Sequence, residues 1–253
     1  MNGPLAPGST IGIIGGGQLG RMLAMAAARL GYRTIVLEPQ ADCPAAQVTN
    51  RQIVAAYDDP AALAELGTAC DVVTYEFENV PVGAAAALAS HAEVSPPPMA
   101  LEVSQDRLTE KSFVNAAGIP TANFRAVDSD ADLIAACGAF GGSGVLKTRR
   151  MGYDGKGQRV LRGAMPGDLL GLYAAMGGVP LILESLIPFE REISVIGTRG
   201  RDGAVQCYDP VENVHRDGIL HSSTVPARIS GPTAEAAKSA ATKILTELGY
   251  VGV

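Results

Sequence analysis

Apolar and polar positions along the first hundred residues alternate in blocks. Thr10-Ile11-Gly12-Ile13-Ile14 is a short apolar run beside a glycine cluster and predicts a buried strand. The Ala-, Leu- and Met-rich stretch from Gln18 to Leu30 predicts a helix, closed by Gly31. Arg33 to Leu37 predicts a second strand. Asp59-Pro60 opens another helix, because Asp caps it and Pro has no N–H to lose in the first turn. Asp71 to Tyr75 follows as a strand that ends at Glu76, and Val82 to Ser90 as a helix of small residues. This β-α-β rhythm implies a parallel sheet with right-handed crossovers.

Ser95-Pro96-Pro97-Pro98 interrupts the rhythm and marks a boundary at about residue 96, since consecutive prolines continue neither a helix nor a central strand. A helix is then expected from Ser104 to Ala117, stopped by Gly118-Ile119-Pro120. Strand-like stretches follow at 123–127, 144–148, 158–162 and 181–184, with helices near 130–137 and 167–175. Residues 189–225 read as mostly antiparallel β, with turns at Arg201-Asp202-Gly203 and Arg216-Asp217-Gly218. Pro232 to Leu248 predicts a helix, and Tyr250 to Val253 the first residues of one more strand. The fold class expected is α/β, a Rossmann-like parallel-sheet domain followed by a more mixed α+β domain.

Composition narrows the function classes. The chain has 253 residues, 47% of them hydrophobic, and a net charge of −6. That excludes a disordered or collagen-like chain and argues against nucleic acid or an anionic membrane as partner. The four cysteines are far apart and there are three histidines, so a Cys/His zinc cluster is not expected and a reducing, cytoplasmic setting is. The N-terminal residues lack the charged and apolar regions of a signal peptide, and no apolar run is long enough to span a bilayer.

Three stretches carry candidate chemistry. Gly15-Gly16-Gly17-Gln18-Leu19-Gly20 lies between a strand and a helix and matches G-x-G-x-x-G, a turn that lets an anion approach a helix N-terminus. Glu38 ends the second strand, where dinucleotide-binding proteins place a ribose-binding acid. A phosphate ligand is expected there, and NAD does not follow from it. The second stretch is Lys147 followed by Gly152-Tyr153-Asp154-Gly155-Lys156-Gly157-Gln158. Residues 147–162 hold six basic side chains and one acidic one, a net of +5 inside an acidic chain. A basic, glycine-rich flap suits a polyphosphate, although Gly155-Lys156-Gly157 is not the Walker A spacing. The third runs from the strand end at Glu184 through Ser185, Leu186 and Ile187 to Glu192, an apolar slot with carboxylates that suits a nucleoside.

The flap with its upstream lysine resembles the ATP-grasp enzymes. Gly16-Gly17-Gln18-Leu19-Gly20-Arg21-Met22, Thr74-Tyr75-Glu76-Phe77-Glu78-Asn79-Val80, Asp106-Arg107-Leu108-Thr109-Glu110-Lys111, Asn213 to Leu220 and Leu248 to Val253 are similar, in order, to the N5-carboxyaminoimidazole ribonucleotide synthetase family. The resemblance implies a pre-ATP-grasp substrate domain at 1–96, a linker helix with the small ATP-grasp subdomain at 97–185, and the start of the large subdomain at 186–253. It implies a ligase that carboxylates aminoimidazole ribonucleotide with bicarbonate and ATP, through carboxyphosphate, in purine biosynthesis. Lys147 and Tyr153 would be catalytic. Arg107, Lys147, Gly152, Tyr153, Asp154, Gly155, Lys156, Gly157 and Gln158 would hold the phosphates. Glu184, Ser185, Leu186 and Ile187 would hold adenine, with Glu192 on the ribose and His215 at a further nucleotide position. Gly17, Gln18, Leu19, Glu76 and Tyr153 would face the ribonucleotide. The resemblance also implies a homodimer, and a magnesium ion whose ligands lie beyond Val253, so that residues 1–253 alone would turn over weakly or not at all. The alternatives are another ATP-grasp ligase, such as the formate-dependent glycinamide ribonucleotide transformylase, a nucleotide-binding module without catalysis, or an NAD-dependent dehydrogenase.

Overall fold

The computed structural model describes residues 4–152, 156–216 and 218–253. The expectations that fall on Tyr153, Asp154, Gly155 and Asp217 lie outside the described residues. The chain divides into two compact units, 1–102 with 198–205 and 248–253, and 103–197 with 206–247. The first division thus falls a few residues after the proline run, and two later segments return to the first unit.

The first unit contains β1 (Thr10–Ile14), α1 (Gln18–Arg29), β2 (Arg33–Leu37), β3 (Arg51–Ile53), α2 (Pro60–Ala69), β4 (Val72–Tyr75), α3 (Val82–Leu88) and β5 (Glu93–Val94), and most of α4 (Pro98–Ser104). Its sheet runs β3-β2-β1-β4-β5, with every neighbour parallel. The strands are buried because Ile14, Leu37 and Val73 meet Leu66 of α2 and Leu88 of α3. Asp59 accepts from the Ala62 N–H at 2.9 Å, with Pro60 behind it, which is the expected cap. Two elements escaped the hydrophobic pattern, the short strands β3 and β5. A third departure is α4, which begins at Pro98, the last of the prolines. Proline ends a helix only in its interior and fits its first turn. The returning segments pair with each other, Arg199 and Gly252 exchanging backbone hydrogen bonds of 2.9 and 3.0 Å.

The second unit contains α5 (Arg107–Ala116), β6 (Phe124–Val127), α6 (Asp130–Ala139), β7 (Gly144–Thr148), β8 (Gln158–Leu161), a 3-10 turn at Pro166–Leu169, α7 (Leu172–Ala175) and β9 (Leu181–Glu184). Along the chain these are followed by β10 (Glu192–Ser194), β11 (Gly197–Arg199), β12 (Val205–Cys207), β13 (Val211–Arg216), β14 (Ile219–Thr224) and α8 (Gly231–Glu247), of which most of β11 and the first residue of β12 belong to the first unit. An antiparallel sheet has the order β6-β9-β7-β8, and a second has the order β10-β13-β14. The helix expected from Ser104 starts instead at Arg107, because Asp106 caps it through the Leu108 N–H at 2.9 Å. The helix expected at 167–175 breaks at Gly171, whose φ is +78°.

Side chains alternate across a strand. Leu146 of β7 and Leu181 and Leu183 of β9 therefore enter the core with Leu133 and Cys137 of α6. The opposite face of the same strands carries Lys147, Ile182 and Glu184, with Lys147 registered against Ile182.

Candidate functional site

In the second unit, the Lys147 Nζ donates to Glu184 Oε2 at 3.0 Å. Strand pairing brings them together across 37 residues of sequence. Lys111 of α5 places its Nζ 3.5 Å from the same oxygen. Glu184 is only 7% exposed, and its other oxygen, Oε1, is buried with no hydrogen-bond partner among the described residues. A buried carboxylate is expensive unless paired, and two ammonium groups on one oxygen supply the pairing. The sequence assigned roles to Lys147 and Glu184 separately. It assigned none to Lys111, although Lys111 lies four residues after Arg107, a spacing that puts both on one helix face.

The base of the flap is tied down by backbone contacts. Arg107 donates from Nη1 to the Thr148 carbonyl at 2.9 Å and from Nη2 to the Gly152 carbonyl at 3.0 Å. Two of its five donors thus hold the chain at the start of the flap. Thr148 N–H donates to the Gly157 carbonyl at 2.8 Å. Gly157 has φ +70°, and a Cβ there would stand 2.7 Å from Thr148 Oγ1. Asp106 adds a two-point tether, pairing with Arg149 at 2.7 Å and 3.0 Å. Burial alone would raise the Asp106 carboxyl. The Arg149 guanidinium and the Leu108 and Thr109 N–H groups outweigh it and hold the group below its ordinary value. A cavity of about 500 Å³ opens here, lined among others by Thr148, Arg149, Met151, Gly157 and Pro180, and its lining includes neither Lys147 nor Glu184. Lys156 and Gln158 are exposed.

Beyond β9, Ser185 donates its N–H to the Asn123 carbonyl at 2.7 Å, which fixes the start of the apolar stretch. Leu186 is half-buried and Ile187 is exposed. Glu192 and His215 are brought together, Nδ1 of His215 standing 3.1 Å from Glu192 Oε2. They are diagonal neighbours, since Glu192 of β10 is registered against Asn213 of β13.

The glycine loop of the first unit departs from the expectation that its N–H groups converge on an outside phosphate. Glu76, just past the end of β4, accepts from the Gly17 N–H at 2.7 Å and also from the Gly20 N–H. Glu38 Oε2 accepts from the Gly16 N–H at 2.9 Å and from the Tyr57 hydroxyl at 2.5 Å. Burial, and after it that bond to Glu38, pushes the Tyr57 phenol well above its ordinary value. The helix N-terminus attracts an anion, as argued, but the anion is a carboxylate of the chain itself. The reason lies in the sheet: β1 and β4 are parallel neighbours, with Ile14 against Tyr75, so the next residue on β4 arrives beside Gly15. Gln18 and Leu19 lie exposed in the first turn of α1.

Among the described residues, no group of three or more His, Cys, Asp or Glu side chains forms a metal-ligating arrangement. No helix among them is long and apolar enough to cross a membrane.

A parallel sheet with a glycine turn, followed by antiparallel strands that set a lysine against a buried glutamate, defines a pre-ATP-grasp domain joined to an ATP-grasp domain. Residues 8–105 match the ribonucleotide synthetase preATP-grasp domain, and residues 112–253 match the ATP-grasp domain. The chain belongs to the N5-carboxyaminoimidazole ribonucleotide synthase family. It is 66% identical over 249 residues to the synthase of that name from Brucella melitensis, covering 98% of this chain and 69% of the relative. It is 45% identical over 243 residues to the one from Pseudomonas aeruginosa, covering 96% and 66%. The crystal structure of a purK N5-carboxyaminoimidazole ribonucleotide synthetase in complex with ADP superposes with a TM-score of 0.92 at 43% identity, over 98% of this chain and 65% of that one. The Aspergillus clavatus enzyme, in complex with ADP and 5-aminoimidazole ribonucleotide, superposes at 0.85 with 29% identity, over 97% and 64%. The chain thus spans about two thirds of the length of the relatives it matches.

Proposed function

We propose that this chain carries the nucleotide-binding part of an ATP-dependent ligase. The reaction joins bicarbonate to the 5-amino group of aminoimidazole ribonucleotide, with ADP and phosphate released. The observation that carries this reading is the 66% identity to the Brucella synthase over nearly the whole chain. The ADP complex of one relative and the complex of another with ADP and 5-aminoimidazole ribonucleotide support it.

On this reading ATP phosphorylates bicarbonate, and the amine takes the carboxyl group from the resulting carboxyphosphate. Phosphoryl transfer needs positioning and charge neutralisation more than covalent chemistry from the protein. Lys147, Arg107, Lys156 and the backbone of 152–158 supply positive charge and N–H donors to the phosphates. Glu184 to Ile187 receive the adenine, and Glu192 with His215 the ribose side. Gly17, Gln18, Leu19 and Glu76, all in the first unit, face the ribonucleotide. Glu76 already accepts two backbone N–H groups, and a carboxylate has about four acceptor sites, so it keeps capacity for a ribose hydroxyl. The substrate phosphate then sits elsewhere than on the Gly17 and Gly20 N–H groups. A magnesium ion, if bound, would neutralise charge on the nucleotide phosphates, but the described residues supply no cluster of carboxylate or imidazole ligands to hold it. A cytoplasmic homodimer is the expected form.

The test feeds carbon-13 bicarbonate, ATP and aminoimidazole ribonucleotide to the protein and follows the carbamate carbon by NMR. In parallel, ADP and the ribonucleotide are titrated into the 253-residue chain by calorimetry. Binding of NAD in preference to both ligands would refute the reading. In a matched run with carbon-13 formate and glycinamide ribonucleotide, label transfer from formate would point to the neighbouring transformylase.

A further inference from the structure

Among the described residues Lys111 is a second cation at the Lys147–Glu184 pair, and the proposed reaction gives it no role. It reaches the carboxylate from α5, whereas Lys147 reaches it from β7, and both meet Oε2, at 3.5 and 3.0 Å. Only 9% of the Glu184 side chain and 19% of the Lys111 side chain are exposed. The partner arrangement is therefore lopsided: one oxygen with two ammonium groups, the other buried with no partner among the described residues. A buried acceptor left unmade costs free energy, so an oxygen like Oε1 is suited to a donor brought by a ligand.

A polyphosphate entering beside Lys147 competes with Glu184 for that ammonium. If Lys147 were the only counterion, its turning away would strand a buried carboxylate, which is strongly unfavourable. We propose that Lys111 is a positioning residue: it retains Glu184 when Lys147 turns to phosphate, and so keeps Oε1 aimed to accept an N–H from the nucleotide base. This rests on the nucleotide-site reading above. The chemistry it selects is a purine with an exocyclic amine in preference to one with a carbonyl, because a carboxylate oxygen accepts and cannot donate.

The experiment compares ADP with inosine diphosphate, which carries a 6-oxo group in place of the amine, by calorimetry on the 253-residue chain. Lys111→Met is expected to weaken ADP about tenfold while inosine diphosphate changes by no more than about twofold, as befits one lost charge-assisted contact. Lys111→Arg, which keeps the charge, restores most of the preference. In a Glu184→Gln background, Lys111→Met has no further effect on the preference. Should Lys111→Met fail to fold, Lys111→Gln serves the same comparison. A purely structural role for Lys111 would weaken both diphosphates alike, and that result overturns the proposal. Failure of the unaltered chain to bind either diphosphate would instead remove the nucleotide reading, and the proposal with it.

Discussion

Glu76 Oε1 accepts the Gly17 N–H at 2.7 Å, so the glycine turn of the first unit closes on a carboxylate 59 residues away. The glycines are required because Glu76 comes so near. A Cβ on Gly17 would stand 2.7 Å from Glu76 Oε1, and one on Gly15 2.5 Å from Glu76 Cγ. Glu76→Ala strands the N–H groups of Gly17 and Gly20 and should destabilise the chain by about 1–3 kcal/mol, with Glu76→Gln losing less. Gly15→Ala should cost more than Gly8→Ala. Both have positive φ, +100° and +95°, but nothing lies within 4 Å of a Cβ on Gly8. Urea denaturation ranks the four variants, and equal costs for the two glycine changes would mean that Glu76 is not what confines the turn.

Asp106 gives the fold a pH dependence with a definite sign. Its carboxyl is held below the ordinary value in the folded chain, chiefly by Arg149 acting against burial. The stabilisation is thus fully present above the ordinary carboxylate value and is lost as the pH falls through the lower, folded one. Asp106→Asn should therefore be less stable than the parent at pH 7, by about 1–3 kcal/mol for a lost charged hydrogen bond. The gap should narrow once the parent's carboxyl is itself protonated. Denaturation midpoints at pH 7, 4 and 2.5 check this, and a gap that stays constant with pH contradicts it.

Lys147→Ala removes one charged contact to the nucleotide, worth ~1.5–3 kcal/mol, so ADP should bind roughly ten- to a hundredfold more weakly. Glu184 keeps Lys111 at 3.5 Å, so the variant should still fold. Circular dichroism and calorimetry on the same sample separate the two effects. Unchanged ADP affinity would take Lys147 out of the site.

The cysteines should divide three to one. Cys43, Cys70 and Cys137 are buried, and Cys207 is half-buried. Burial, with some help from Asp71, pushes the Cys70 thiol up to about 12. Burial raises that of Cys137 as well. The thiolate is the reactive form. At pH 8, iodoacetamide should label Cys207 first in the folded chain and all four thiols in denaturant, as mass spectrometry would show. Early labelling of Cys70 would mean that the first unit opens readily.

Local pattern determined much of this protein. The runs at 144–148 and 181–184 became β7 and β9 with the expected bounds, because an apolar block flanked by glycine or proline has few other conformations open to it. The Asp59-Pro60 cap formed as read, since capping is settled within four residues. Lys147 and Glu184 could be picked out one at a time as chemistry at strand ends. Their union could not, because it depends on β7 lying beside β9 in antiparallel register. Tertiary structure alone decided that Lys111 of α5 reaches the same carboxylate, and that Glu76 fills the helix end where an outside phosphate was expected. It also decided that 198–205 and 248–253 rejoin the first unit. Each of these contacts joins residues far apart in sequence. Sheet order and register set such contacts, and residue spacing carries no record of which strands become neighbours.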